Sequence, residues 1–152
     1  MTVLRKLLTL AAGVTVLSAA PALAATATGA LTVTALVNSS CTIGNATLNF
    51  GTYTTAAGAT TTALVNVNCT LGTVYTLAMG TGQNHDATAG NRMKSATGSS
   101  YIPYTATFPT GTLPTGLGLA VPISTLITGN APAGANVPAD TYSDSVVMTV
   151  TY

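Results

Sequence analysis

Apolar and polar residues alternate along most of this chain with a period of two. From Ala27 the odd positions run Ala27, Gly29, Leu31, Val33, Ala35 and Val37, while the even ones are largely threonine (Thr26, Thr28, Thr32, Thr34). Such alternation predicts extended backbone with one buried face. A short strand is expected with Leu48 and Phe50 inward, closed by Gly51. A longer one follows over 62–69, with Ala63, Val65, Val67 and Cys69 on one face. A hairpin through Leu71-Gly72 leads to Tyr75, Leu77 and Met79 at alternate positions. Residues 80–100 show no period and are rich in Gly, Asn, Ala, Thr and Ser, so a long loop is expected there. Alternation resumes over 101–108, with Ile102, Tyr104, Ala106 and Phe108 inward and Pro103 demanding an edge or a bulge. A weaker strand is expected over 119–127 around Pro122, and a loop over 129–140, which holds Pro132, Gly134 and Pro138. The last strand is the cleanest: Val146, Met148, Val150 and Tyr152 alternate with Ser145, Val147, Thr149 and Thr151.

No segment beyond the first two dozen residues has a helical period, and Gly/Pro turns punctuate the rest. The expected fold is all-β, an immunoglobulin-like β-sandwich. About six strands are counted where that sandwich has about seven. The sequence ends inside its best-patterned strand, so the expectation is a sandwich lacking its final strand, with Val146, Met148, Val150 and Tyr152 lining an open edge and groove. The alternating segment near the other end, 25–37, could fill that groove on a neighbouring copy. Head-to-tail strand exchange of this kind need not close and builds filaments.

The opening residues change what compartment is expected. Arg5 and Lys6 precede an apolar stretch over 7–17, and Ala22-Leu23-Ala24 supplies a small-x-small cleavage pattern, so residues 1–24 read as a removable export signal. The apolar run is too short to span a bilayer. Residues 25–152 then form one domain. Their charges are Arg92 and Lys94 against Asp86, Asp140 and Asp144, a net of about −1 with His85 neutral. That balance excludes a basic footprint for nucleic acid and a polybasic membrane patch. A surface of threonine, asparagine, serine and glycine suits a protein that ends packed into an assembly. Export also places Cys41 and Cys69 in an oxidising compartment, where a disulfide is expected. Its loop would contribute roughly 3.6 kcal/mol in the chain-entropy model.

Candidate chemistry is sparse. His85 and Asp86 are adjacent and could form half of a general-base pair, but no nucleophile accompanies them, and a solvated polar loop is the plainer reading. Asp140 and Asp144 flank Tyr142 and could pair across a sugar, yet their place before a strand suits turn capping. The acids are too few for a calcium loop. Gly80-Thr81-Gly82 has no following helix to receive a phosphate. Asn38-Ser39-Ser40, Asn45-Ala46-Thr47 and Asn68-Cys69-Thr70 match the glycosylation tripeptide, which arises by chance in such a composition. No catalytic residue, metal site or cofactor is expected.

Several short motifs, in their order and spacing, resemble the spore coat protein U domain family, in particular major subunits of archaic (Csu-type) chaperone–usher pili. They are the alternating N-terminal segment leading to Cys41-Thr42-Ile43; Leu48-Asn49-Phe50-Gly51-Thr52-Tyr53; Val67-Asn68-Cys69 with Gly72 and Tyr75; Asn91-Arg92-Met93; Ile102-Pro103-Tyr104; and the stretch from Thr141-Tyr142-Ser143-Asp144 to Val150-Thr151-Tyr152. The resemblance implies an incomplete sandwich completed by donor-strand exchange. It implies a periplasmic chaperone that lends a strand and holds the carboxylate of Tyr152, and an outer-membrane usher that replaces that strand with the next subunit's N-terminal segment. The product would be a homopolymeric surface fibre for adhesion and biofilm formation, without direct membrane insertion. Leu31, Val33, Ala35 and Val37 share the parity of Cys41, so they could instead be the chain's own first strand; donor use, centred on Leu31 and Val33, is the favoured assignment. Two other readings stay open. One is a monomeric coat or surface protein of the same fold. The other is a carbohydrate-binding module or hydrolase using Tyr101, Tyr104, His85 and Asp86.

Overall fold

A computed structural model describes residues 24–152, so the expected export signal lies almost wholly outside the described residues. The chain divides into two units, 1–35 and 36–152. Of the first, residues 24–35 carry no strand and are exposed throughout.

The second unit is all-β. Its described strands are β1 (Cys41–Ile43), β2 (Ala59–Cys69), β3 (Thr76–Gly82), β4 (Arg92–Ser95), β5 (Tyr101–Pro103), β6 (Thr105–Thr107), β7 (Ile123–Ala131), β8 (Tyr142–Ser143) and β9 (Val146–Thr151). They pair antiparallel in three ladders, ordered β1-β2-β7-β6, β3-β9 and β5-β4-β8. The long pair β2–β7 is the floor of the sandwich. Val65, Val67 and Cys69 on β2 and Ile123, Thr125, Ile127, Gly129 and Ala131 on β7 point inward and are buried, while their even-numbered neighbours face solvent. Leu64 and Leu126 pair directly across the outer face.

Two apolar clusters fill the interior. One gathers Val67, Cys69, Tyr75 and Ile123, with Ile43, Leu77 and Val150 against them. The other gathers Ile102, Tyr104 and Ala131, with Phe50, Met93, Tyr142 and Val146 alongside. The Cys41–Cys69 disulfide joins residues directly opposite each other in the β1–β2 ladder.

The structure corrects several expected elements. No strand forms at 48–50; Leu48 and Phe50 do turn inward, but their backbone joins no ladder. The turn at Leu71-Gly72 is not a hairpin, because β2 and β3 belong to different ladders and the chain crosses between layers there. The region 80–100 is not one long loop. β3 runs on to Gly82, and β4 occupies Arg92–Ser95. Four residues are too few for a period to be visible, and β4 is held by partners on both sides. The expected strand over 101–108 is split at Tyr104 into β5 and β6, which lie in different ladders. Pro103, having no N–H to donate, ends an edge strand, and the chain changes sheet immediately after it. The strand expected over 119–127 begins only after Pro122 and continues through Gly129 to Ala131, into the expected loop. Gly129 belongs in that strand because a side chain there would collide with Leu48, whose Cγ lies 3.0 Å from the position a Cβ would take, and with Phe50 Cζ, also 3.0 Å away. Bare backbone at 129 is what lets the irregular 44–50 segment close onto the sheet.

Candidate functional site

β9 is an edge strand of the second unit. Among the described residues it pairs with β3 alone. The direction of its backbone groups follows from two observations. The Ser145 carbonyl accepts from the Gln83 N–H at 3.0 Å, and the Val147 carbonyl oxygen lies 3.3 Å from where a Cβ on Gly80 would sit. Odd-numbered residues therefore turn their N–H and C=O groups toward β3. In a regular strand the even-numbered ones turn away, so Val146, Met148 and Val150 present theirs at the unpaired edge. The same three residues point their side chains inward, yet all three are only half-buried. β3 has the same deficiency at Leu77 and Met79, whereas the inward face of β7 is fully buried. The β3–β9 ladder thus has an inner face that is only partly covered among the described residues.

An open cleft of about 370 Å³ lies along this face. Protein interiors leave few voids larger than one water, whose share of liquid volume is about 30 Å³, so this is an unfilled slot and not a packing flaw. Met79 and Met148, directly opposite in the β3–β9 ladder, line it with Met93, Leu48, Phe50, Ala106, Ile127 and Val146. Tyr104 and Tyr142 complete the wall, Tyr104 set edge-on to Phe50 with ring centroids 6.0 Å apart.

Asp144 stands at one end of the cleft and fixes its geometry. Tyr104 donates its phenolic O–H to Asp144 Oδ2 at 2.7 Å, and Asn84 donates its backbone N–H and its side-chain amide to Oδ1 at 3.1 and 3.0 Å. Burial, and then the neighbouring carboxylate, push the Tyr104 phenol well above its ordinary pKa, so it remains a donor. The carboxylate sits where a side chain at residue 82 would be, so Gly82 is needed for β3 to bulge past it between Met79 and Gly82.

The positions singled out in the sequence are distributed as follows. Val146 and Met148 line the cleft. Val150 packs instead against the cluster around the disulfide, and Tyr152 lies just past β9, 56 % exposed and away from the cleft wall. Ala27, Gly29, Leu31, Val33, Ala35 and Val37 belong to no strand and are exposed, Leu31 by 88 % and Val33 by 80 %. His85 and Asp86 are not coupled. His85 Nδ1 pairs with Asn91 Oδ1 at 2.9 Å, while Asp86 accepts the backbone N–H groups of Thr88 and Ala89 and lies 3.5 Å from Arg92. Those backbone donors, Ala89 first, hold the Asp86 carboxyl below its usual range. Arg92 stacks on Tyr101 at 4.3 Å. Of the four residues of the carbohydrate or hydrolase reading, Asp86 and Tyr101 share Arg92, whereas His85 pairs with Asn91 and Tyr104 with Asp144. Asp140 accepts from the Ser95 hydroxyl, the Thr97 N–H and hydroxyl and the Thr141 N–H, which together hold it far below the ordinary carboxylate pKa, the Ser95 bond contributing most. Met93, Tyr104 and Ile127 are cleft residues that the alternation could not assign to a site, since it marks inward positions without saying which remain uncovered.

The Spore Coat Protein U domain profile matches residues 27–149. Protein U of Myxococcus xanthus is 37 % identical, over 87 % of this chain and 88 % of that protein. Among solved structures, the CsuC–CsuE chaperone–tip adhesion subunit pre-assembly complex, from archaic chaperone–usher Csu pili of Acinetobacter baumannii, contains a chain that superposes with a TM-score of 0.54 at 20 % identity. The match covers 76 % of this chain and 40 % of that one, so it establishes a shared fold.

Proposed function

The chain belongs to the Spore Coat Protein U domain family, and from that premise we propose that it is a structural subunit of a surface fibre, polymerising by donor-strand complementation. One observation carries the reading: the inner face of β9 is half-exposed beside an open cleft walled largely by Met, Leu, Phe and Val side chains, and its Val146, Met148 and Val150 backbone groups have no partner among the described residues along one edge. A strand laid there satisfies the edge and fills the cleft together. The occupant is residues 25–37 of another copy, whose alternation offers Leu31 and Val33 as the large inward side chains and Ala27 and Gly29 for shallower parts. Burying Leu31 and Val33 contributes about 1–2 kcal/mol each.

Before assembly, a periplasmic chaperone lends the missing strand, and an outer-membrane usher mediates its replacement. The likeness to a chain of a chaperone–subunit complex supports that partner. Residues 1–24 are the removed export signal and 25–152 the mature subunit. The finished fibre serves surface attachment and biofilm formation. Catalysis plays no part in this role, and the sparse acids act as turn and edge fasteners. Among the described residues no helix is long and apolar enough to cross a membrane.

The test is the variant Leu31→Asp with Val33→Asp. It should still be bound by the chaperone, because its own cleft is intact, yet give no fibres by electron microscopy after release. Fibres of normal length would refute the donor assignment. A second reading, a coat-associated protein whose N-terminal segment folds into its own cleft, draws on the identity to Protein U. A stable monomer in size-exclusion chromatography, indifferent to added 25–37 peptide, would establish that one.

A further inference from the structure

Met79, Met93 and Met148 are the methionines of residues 25–152, and all three line the one cleft. Each is half-buried, so its thioether is within reach of solvent. Met79 and Met148 are cross-strand partners on the same inward face. Strand positions ordinarily favour β-branched and aromatic residues, and the neighbouring β2–β7 pair uses Val and Ile at its inward sites. Thioethers gathered at an uncovered apolar wall share one chemistry that Val, Ile and Leu lack: reaction with two-electron oxidants.

We propose that these three methionines form an oxidation-sensitive site that governs whether the cleft accepts a strand. The inference rests on the strand-acceptor reading. In the reaction, a thioether sulfur attacks one oxygen of a peroxide and the O–O bond breaks. The sulfur gains an S=O bond and is oxidised by two electrons; the peroxide is reduced, and its other oxygen, taking up the proton that the transferred hydroxyl sheds, leaves as water, or as an alcohol where the oxidant is an alkyl hydroperoxide. The product is a polar acceptor on a wall built for apolar side chains. An incoming strand has its backbone groups committed to the β9 edge and its inward side chains apolar, so it has no donor for that oxygen. Burying an unpaired acceptor weakens binding by about tenfold to a hundredfold per sulfoxide. Once a strand is seated, the thioethers are covered. Free subunits are therefore the vulnerable species and assembled ones the protected species.

The experiment uses residues 25–152 with the disulfide intact and a fluorescent peptide of residues 25–37, read by anisotropy. Hydrogen peroxide treatment should place sulfoxide on Met79, Met93 and Met148 by peptide-mapping mass spectrometry and weaken peptide binding at least tenfold. The far-UV circular dichroism should be unchanged. Chain loaded with unlabelled peptide before treatment should be oxidised several-fold more slowly at these residues. In the variant Met79→Leu, Met93→Leu, Met148→Leu, or Met148→Leu alone if the triple variant misfolds, treated and untreated protein are compared with each other: the triple variant's own affinity should be unchanged by peroxide, and the single one's should fall less than that of wild type. Equal binding by treated and untreated wild type would overturn the inference while leaving the acceptor reading intact, as would methionines that stay unmodified in the free chain. Loss of binding accompanied by loss of the β spectrum would overturn it too, since unfolding and not the cleft wall would be the cause. Failure of untreated wild type to bind the peptide at all would remove the acceptor reading and this inference together.

Discussion

Gly129 offers the sharpest quantitative check on how the cleft is built. Its φ is not in the left-handed region, and it lies mid-strand in β7, where alanine ordinarily stabilises by about 0.5–1 kcal/mol relative to glycine. The structure reverses that sign. A methyl group at 129 would overlap the Leu48 side chain and stand 3.0 Å from both Leu48 Cγ and Phe50 Cζ, against ordinary contacts of about 3.5–4.0 Å between carbons. Leu48 must therefore shift, and overpacking of this kind costs about 1–3 kcal/mol. Gly129→Ala should lower the unfolding midpoint of residues 25–152 by roughly 2–18 °C, taking about 2–6 °C per kcal/mol for a domain of this size. Leu48 also lines the cleft, so a shift that reshapes its wall should lower affinity for a 25–37 peptide as well. A double-mutant cycle isolates the cause. In a Leu48→Ala background most of the overlap is gone, and Gly129→Ala should become close to neutral or stabilising, a coupling of at least about 1 kcal/mol. Thermal and urea unfolding followed by circular dichroism would measure all four proteins. Additive effects of the two substitutions would refute the packing argument, because Gly129 would then be needed for something other than the space Leu48 occupies.

Three further expectations follow from the same geometry. Tyr104→Phe keeps the edge-on contact with Phe50 but deletes the hydrogen bond to Asp144, and should destabilise by about 1.5–3 kcal/mol at neutral pH, measured by urea unfolding. Asp140 has a folded pKa below its unfolded value of about 3.9, so the stability it contributes is present above that value and lost as pH falls through the folded pKa. Asp140→Asn should therefore be less stable than wild type at pH 7 and show a shallower loss of stability below about pH 4 in an acid titration of the unfolding midpoint. Reduction of Cys41–Cys69, or Cys69→Ser, should cost about 2–4 kcal/mol, seen as a lower urea midpoint with a larger dependence on denaturant as the unfolded chain expands.

The period-two pattern determined a good deal by itself. The all-β class, the inward sets Ala63-Val65-Val67-Cys69 and Val146-Met148-Val150, and the disulfide all follow from side-chain alternation and from a pair of cysteines behind an expected export signal, which are local or compositional properties. Pro103 correctly announced an edge. What alternation cannot carry is partnership. It marks Val146 and Val67 alike as inward, though one faces an open slot and the other a closed core. Tertiary structure alone decided that β2 and β3 part into different layers, that a four-residue strand at Arg92–Ser95 is held between two neighbours, and that Gly129 continues a strand because Leu48 and Phe50 need its missing side chain. It also decided that three methionines from three strands, 14 and 55 residues apart in sequence, meet at one cleft. The physical reason is the same in each case: a strand's pattern records which face it buries, whereas the identity of what covers that face is settled by backbone pairing between distant segments, which leaves no local trace.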